Sequence, residues 1–175
     1  MSPSRLRLVD GTLALLSAAL EGRNALEGVL GVTVAEGWEG FPDALPIVRA
    51  SYESTPDGQR WGSLFFLALE VPALVGFGGF KGSPSPDGVV EIGYAIAPAF
   101  RGQGLATDAV AQMVQRAFAD VAVHAVDAHT LGHDNPSTRV LQKTGFRKLA
   151  ELQDPDEGAI WQWRLERPSE LRSPR

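Results

Sequence analysis

Arg101-Gly102-Gln103-Gly104-Leu105-Ala106 stands between a strand-like run and an amphipathic helix, and its reading decides the fold. The run before it, Val89-Val90-Glu91-Ile92-Gly93-Tyr94-Ala95-Ile96-Ala97, has the β-branched and aromatic content of a buried strand. Pro98 ends that strand because it has no N–H to donate. Beyond Leu105, residues Ala106, Val110, Met113, Val114, Ala117 and Phe118 recur at the spacing of one helix face, with Thr107, Asp108, Gln112 and Arg116 on the other. A helix start leaves about four backbone N–H groups without partners and carries roughly half a positive charge. Gly102 and Gly104 let an anion approach those groups, Arg101 adds a fixed charge, and a pyrophosphate is the natural guest of Arg101 through Ala106. The alternative is an ordinary glycine-containing turn.

Two common phosphate motifs are excluded. A P-loop needs Gly-Lys-Ser/Thr, whereas Leu105 and Ala106 follow Gly104. A dinucleotide fingerprint needs Gly or Ala at position 107, which is Thr107. The remaining pattern, Arg-x-x-Gly-x-Ala over Arg101, Gly104 and Ala106, resembles the acyl-coenzyme A motif of the GNAT superfamily of N-acetyltransferases. Downstream, Val121 to Leu131 reads as a strand. The run Asn135-Pro136-Ser137-Thr138-Arg139-Val140-Leu141-Gln142-Lys143-Thr144-Gly145-Phe146 follows, with Pro136 suited to a first helical turn and Gly145 to a helix end. It resembles the signature of the branch containing the RimJ/RimL-type acetyltransferases. One departure is that the branch's Asn falls on Asp134, one place before Asn135. Another is that Val140, Leu141 and Gln142 stand where many members carry a proton-donating Tyr.

The resemblance implies a mixed α/β fold, a mostly antiparallel central sheet flanked by helices, with two strands splayed around the cofactor. It implies acetyl-CoA as co-substrate, no metal, and direct attack by an amine acceptor, either a protein N-terminal α-amine or a small molecule. Tyr94, Ala95, Ile96 and Ala97 would face the pantetheine arm, and Arg101, Gly102, Gln103, Gly104, Leu105 and Ala106 would hold the diphosphate. Asn135 would bond the pantetheine amides or cap its helix. Ser137, or secondarily Tyr94, would protonate the departing thiolate; for Ser137 a helix cap is the competing role.

Glu91 is the candidate general base. Positions 91, 93, 95 and 97 share a strand face, so its carboxylate projects over the small residues Gly93, Ala95 and Ala97. That space suits a ligand, or equally the crossover helix. A carboxylate with an ordinary pKa of about 4.3 accepts an amine proton only if desolvated, and partial burial on a central strand would do that. The alternative is a strand glutamate held by an arginine. His124 and His129 fall on opposite strand faces and do not make a metal pair. Trp38, Phe41 and Trp61 could line the acceptor groove, and Glu36, Glu39, Asp43 and Glu53 would favour cationic acceptors.

The 175 residues, 44% hydrophobic, fit one domain over 1–167 with a frayed tail over 168–175. The absence of cysteine removes disulfides, thiolate zinc sites and cysteine nucleophiles. A formal charge of −5 opposes nucleic-acid binding. No apolar stretch is long enough to cross a bilayer and the start lacks a signal's apolar region, so a cytoplasmic monomer or homodimer is expected. The rival function is a non-catalytic acyl-CoA-binding sensor.

Local patterns also predict helices over Thr12–Leu20, Ala25–Leu30 and Pro42–Ser54. They predict a hairpin of Trp61–Glu70 with Ala73–Phe80, and closing strands at Arg147–Glu151 and Ala159–Leu165.

Overall fold

The computed structural model describes residues 3–54 and 60–171. Eight strands form one sheet: β1 (Leu6–Asp10), β2 (Thr33–Val34), β3 (Ser63–Ala68), β4 (Ala73–Phe80), β5 (Val89–Ile96), β6 (Ala125–Leu131), β7 (Arg147–Asp154) and β8 (Gly158–Glu166). Five α-helices flank it: α1 (Leu13–Glu21), α2 (Arg23–Leu30), α3 (Ala44–Ser54), α4 (Leu105–Phe118) and α5 (Pro136–Lys143). The strand order is β1-β3-β4-β5-β6-β8-β7, with β2 parallel to β4 off that path. Along the path every pairing is antiparallel except β5 with β6. This is the expected mixed, mostly antiparallel sheet.

Strand alternation divides the apolar residues between two cores. Leu64, Phe66 and Ala68 of β3 join Val90, Ile92, Val126, Ala128 and Trp163 beneath α4 and α5. Phe65 and Leu67 of the same strand point the other way, joining Leu74, Phe77 and Ala97 beneath α1, α2 and α3. The central strands β3 and β4 are therefore apolar without a break, as strands covered on both faces must be. On the α1–α3 face that cover stops at β5. Beyond it the same side of β6 and β8 carries Asp127, His129, Gln162 and Arg164, which pair across the strands as Asp127↔Arg164 and His129↔Gln162.

Two local expectations are corrected. Leu6–Asp10, not anticipated as a strand, forms the sheet edge, because the Asp108 carboxylate at the start of α4 accepts from Arg5 N (2.7 Å) and Leu6 N (3.0 Å) and ties the chain down. The strand expected from Val121 begins at Ala125, since residues 121–122 turn and Val123 N bonds back to Asp120 O. In the expected tail, Ser169–Leu171 is a 3₁₀ turn, and residues 172–175 lie outside the described residues.

Candidate active site

The parallel pairing of β5 with β6 runs from Val89↔Ala125 to Ile92↔Ala128 and then stops, although both strands continue. Towards β4, Glu91 C=O accepts from Lys81 N (2.9 Å) and Ala97 N donates to Val75 O (2.7 Å). By the alternation of an antiparallel ladder, residues 91, 93, 95 and 97 turn their backbone groups to β4, while Tyr94 and Ile96 turn theirs into the gap that β6 has left. Arg101 Nε closes one of these, donating to Ile96 C=O at 3.1 Å. The gap opens into a cleft of ≈ 1210 Å³, beyond the usual range of a single-ligand pocket and large enough for two substrates.

The gap leads directly to the start of α4. Gly102 and Gly104 have φ of +73° and +79°, left-handed values that a side chain resists. A Cβ at either would project into open space, with nothing within 4 Å. No side chain caps this helix; its first regular bond is Asp108 N to Gly104 O, so the preceding amides are left for an anion. Among the described residues no carboxylate pairs with Arg101. Leu105 contributes only its backbone here, its side chain being buried in the core, and Gln103 Nε2 turns back to Ala99 O. Open amides, two left-handed glycines and a fixed cation are the chemistry a diphosphate requires, so the residues fit coenzyme A.

On the far side of the gap stands α5. Its cap is Asn135, whose Oδ1 accepts from Thr138 N (3.1 Å) while Thr138 Oγ1 accepts from Asn135 N (3.1 Å). Asn135 Nδ2 donates to His133 O at 2.9 Å. Of the two roles expected for Asn135, the helix cap is the one its side chain makes. Asn135→Ala should accordingly cost about 1–2 kcal/mol of stability in a denaturant melt, with coenzyme A affinity by calorimetry nearly unchanged. That cap also releases Ser137, which is half-buried and lines the cleft. Tyr94 reaches across from β5, its hydroxyl donating to Ser137 C=O at 3.3 Å. Burial pushes the Tyr94 phenol above its ordinary value, a trend only partly offset by Ser137.

Ala97 was expected to face the pantetheine arm. It is fully buried beside Trp38, and its amide belongs to β4. The small side chain of Ala95 answers to the α2–α3 connection: a Cβ on Gly40 (φ +66°) would meet Ala95 Cβ at 2.2 Å. Gly93 and Ala95 are both half-buried and line the cleft, and a Cβ on Gly93 would meet Lys81 Cε at 3.5 Å. Neither a ligand nor the crossover helix explains Ala97, which belongs to the core beneath the first three helices. Trp38 is core, stacked on Phe65 at 5.4 Å. Phe41 and Ile47, 68% and 72% exposed, form one lip of the cleft, and Trp61 lies behind them against Phe80.

Glu91 lies in the cleft, with 31% of its side chain exposed. It is held by a lysine and a histidine, not by an arginine: its Oε1 accepts from Lys81 Nζ at 2.6 Å and meets His129 Nδ1 at 2.9 Å. Sequence patterns missed Lys81 as a site residue because it opens a turn. They left His129 unassigned because its nearness to Glu91 depends on strand register. The alternation that puts Asp127 and His129 on one face was the available signal, but not the partner strand. Among the described residues no group of three or more His, Asp or Glu side chains is arranged to hold a metal, and no helix is long and apolar enough to cross a membrane.

A family model described as an acetyltransferase (GNAT) domain matches residues 24–147. The chain is 28% identical over 149 residues, 83% of its length, to the uncharacterized N-acetyltransferase YjdG of Bacillus subtilis (strain 168), covering 88% of that protein. Among solved structures it resembles Mycobacterium smegmatis RimJ in complex with CoA-disulfide, with a TM-score of 0.65 and 21% identity, over 92% of this chain and 81% of that one. It also resembles spermidine N-acetyltransferase from Vibrio cholerae in complex with CoA and spermine, with a TM-score of 0.67 and 14% identity, over 94% and 96% of the two chains. At such identities the two structures speak for the fold.

Proposed function

The chain belongs to the GNAT family of acetyltransferases, and on that premise we propose that it transfers an acetyl group from acetyl-CoA to a primary amine by direct attack in a ternary complex. The observation that carries this is the continuity of two open backbone surfaces. Strand pairing ends at Ile92↔Ala128, and the amides released there lead to the uncapped start of α4. Tyr94 and Ile96 would bond the pantetheine arm as an added strand does. The amides from Gly102 to Ala106, with Arg101, would hold the diphosphate. Bound there, acetyl-CoA supplies an electrophilic carbonyl and a thiolate leaving group.

The protein's own groups then divide the work. Ile96 N–H is the donor for negative charge developing on the carbonyl oxygen. Ser137 is the proton source for sulfur, and Tyr94 the residue that positions it. Glu91 belongs to the end of the site where the amine loses its proton. Phe41, Ile47 and Trp61 receive the acceptor's apolar portion, and Glu39 and Asp154 line the same cleft. The resemblance of residues 135–146 favours the RimJ/RimL-type branch, hence a protein α-amine, beside which small amines stand as alternatives. A cytoplasmic location accompanies a need for acetyl-CoA.

Thiol release should be measured with acetyl-CoA and a panel of spermidine, an aminoglycoside and short peptides with free α-amines. Acetylation of one class is the expected result. Tight acetyl-CoA binding with no thiol release for any amine would favour the sensor instead. Because the Tyr94 phenol is pushed upward, it keeps its proton through the ordinary tyrosine range of about 10. Any alkaline limb of the rate profile should therefore persist in Tyr94→Phe, with kcat lowered several-fold. Disappearance of the limb in that variant would contradict the assignment.

A further inference from the structure

We propose that the atom receiving the amine's proton is His129 Nε2, with Glu91 as the positioning residue; this rests on the acetyl-transfer reading above. A hydrogen bond 2.9 Å long joins His129 Nδ1 to Glu91 Oε1. An ionised carboxylate can only accept, so Nδ1 must carry the hydrogen and the neutral ring's lone pair falls on Nε2. No protein group among the described residues bonds Nε2, and the imidazole lines the cleft with 25% of its side chain exposed. Its place in the chain is equally specific. Ala128 is the last residue of β6 paired with β5, so His129 is the first residue beyond the pairing, at the mouth of the gap.

The alternative acceptor, Glu91 itself, already receives both Lys81 Nζ and His129 on one oxygen. Imidazole, with an ordinary pKa of about 6.5, suits proton uptake at neutral pH better than a carboxylate at about 4.3. The groups facing the ring come from every neighbouring strand. Glu91 stands on β5 and Lys81 on the β4–β5 connection. Asp127 lies two residues back on β6, where Arg164 holds it. Gln162 sits opposite on β8, and Asp154, which feels the charge of both His129 and Lys81, ends β7.

The proton balance is complete. An alkylammonium gives one proton to Nε2, which returns it to solvent. The freed lone pair forms the C–N bond to the thioester carbonyl carbon, and the C–S bond breaks with its electron pair on sulfur. The second nitrogen proton is matched by one delivered to that sulfur.

The test combines two readouts. First, ¹⁵N NMR of the acceptor-free protein, which has three histidines, should show neutral His129 as the Nδ1–H tautomer. Second, on the amine that wild type acetylates best, His129→Gln should lose roughly 100-fold or more in kcat/KM, with unchanged acetyl-CoA affinity and no acidic limb in its pH profile. Glu91→Gln should lose less and move that limb to lower pH, since removing a carboxylate disfavours the imidazolium. An Nε2–H tautomer, a wild-type acidic limb in His129→Gln, or a dead Glu91→Gln beside an active His129→Gln would each overturn the assignment. If wild type binds acetyl-CoA but acetylates no amine, the acetyl-transfer reading fails instead, and the tautomer measurement still reports whether the pair exists.

Discussion

Replacing Gly104 by glutamate is expected to reduce coenzyme A affinity by roughly 100-fold or more, at least about 2.8 kcal/mol. Two effects act together. Gly104 sits at φ +79°, where a side chain strains the backbone by about 1–2 kcal/mol. In addition, a Cβ there projects into open space in front of the first amides of α4, so the added carboxylate occupies the anion's position and repels it. Gly104→Ala separates the two, since it carries the strain without the charge. It should lower stability by about 1 kcal/mol and weaken coenzyme A far less. Calorimetric titration of both variants gives the affinities. A thermal shift adds a second readout, because ligand at about 100 times its dissociation constant stabilises by roughly 2.7 kcal/mol. Wild-type affinity in Gly104→Glu would show that the diphosphate docks elsewhere.

Arg164→Met is expected to destabilise the protein by about 3–5 kcal/mol. Arg164 grips the Asp127 carboxylate with Nε at 2.7 Å and Nη2 at 2.9 Å, and that carboxylate is 6% exposed. The bond holds the Arg164 guanidinium above its already high ordinary value. Without it, Asp127 keeps only Gln162 Nε2 at 2.9 Å, a neutral donor for a buried anion. The penalty arises from the orphaned charge more than from the lost attraction, so the double variant Asp127→Leu/Arg164→Met should recover most of it. Urea melts of both variants measure this. A loss below about 1 kcal/mol in the single variant would place the pair among ordinary surface ion pairs. The pair matters to the site because it locks Asp127↔Arg164, one step from His129↔Gln162, and so sets where His129 emerges.

How much of this was legible beforehand depends on the range over which each feature is encoded. The start of α4 could be read from six residues, because left-handed glycines and a 3.6-residue apolar period are properties of the local chain. The same holds for the β3–β4 hairpin and for α5, whose Asn-Pro start and glycine end bracket it. The edge strand β1 escaped notice, since Leu6–Asp10 gains its place from Asp108, more than a hundred residues later. The insertion of β8 between β6 and β7 was equally hidden: two closing strands with similar patterns have no local mark of which lies inside. Within the site, Arg101, Ala106 and Ser137 line the cleft. Ala97 and Trp38 do not do what was expected, because packing had a prior claim on both, and Asn135 takes the capping role of its two.

By itself the sequence determined the family, the glycine turn that starts α4 and the strand that leads into it, since dihedral preference, hydrophobic period and helix-start chemistry all act within a few consecutive residues. Only the tertiary structure decided that Glu91 meets Lys81 and His129, that β5 and β6 part after Ile92 and Ala128, and that the loop bearing Gly40 rests on Ala95. Those meetings are set by strand register. A shift of one residue turns every side chain to the opposite face, and the register is chosen by burial summed over the whole sheet, not by any residue at the site.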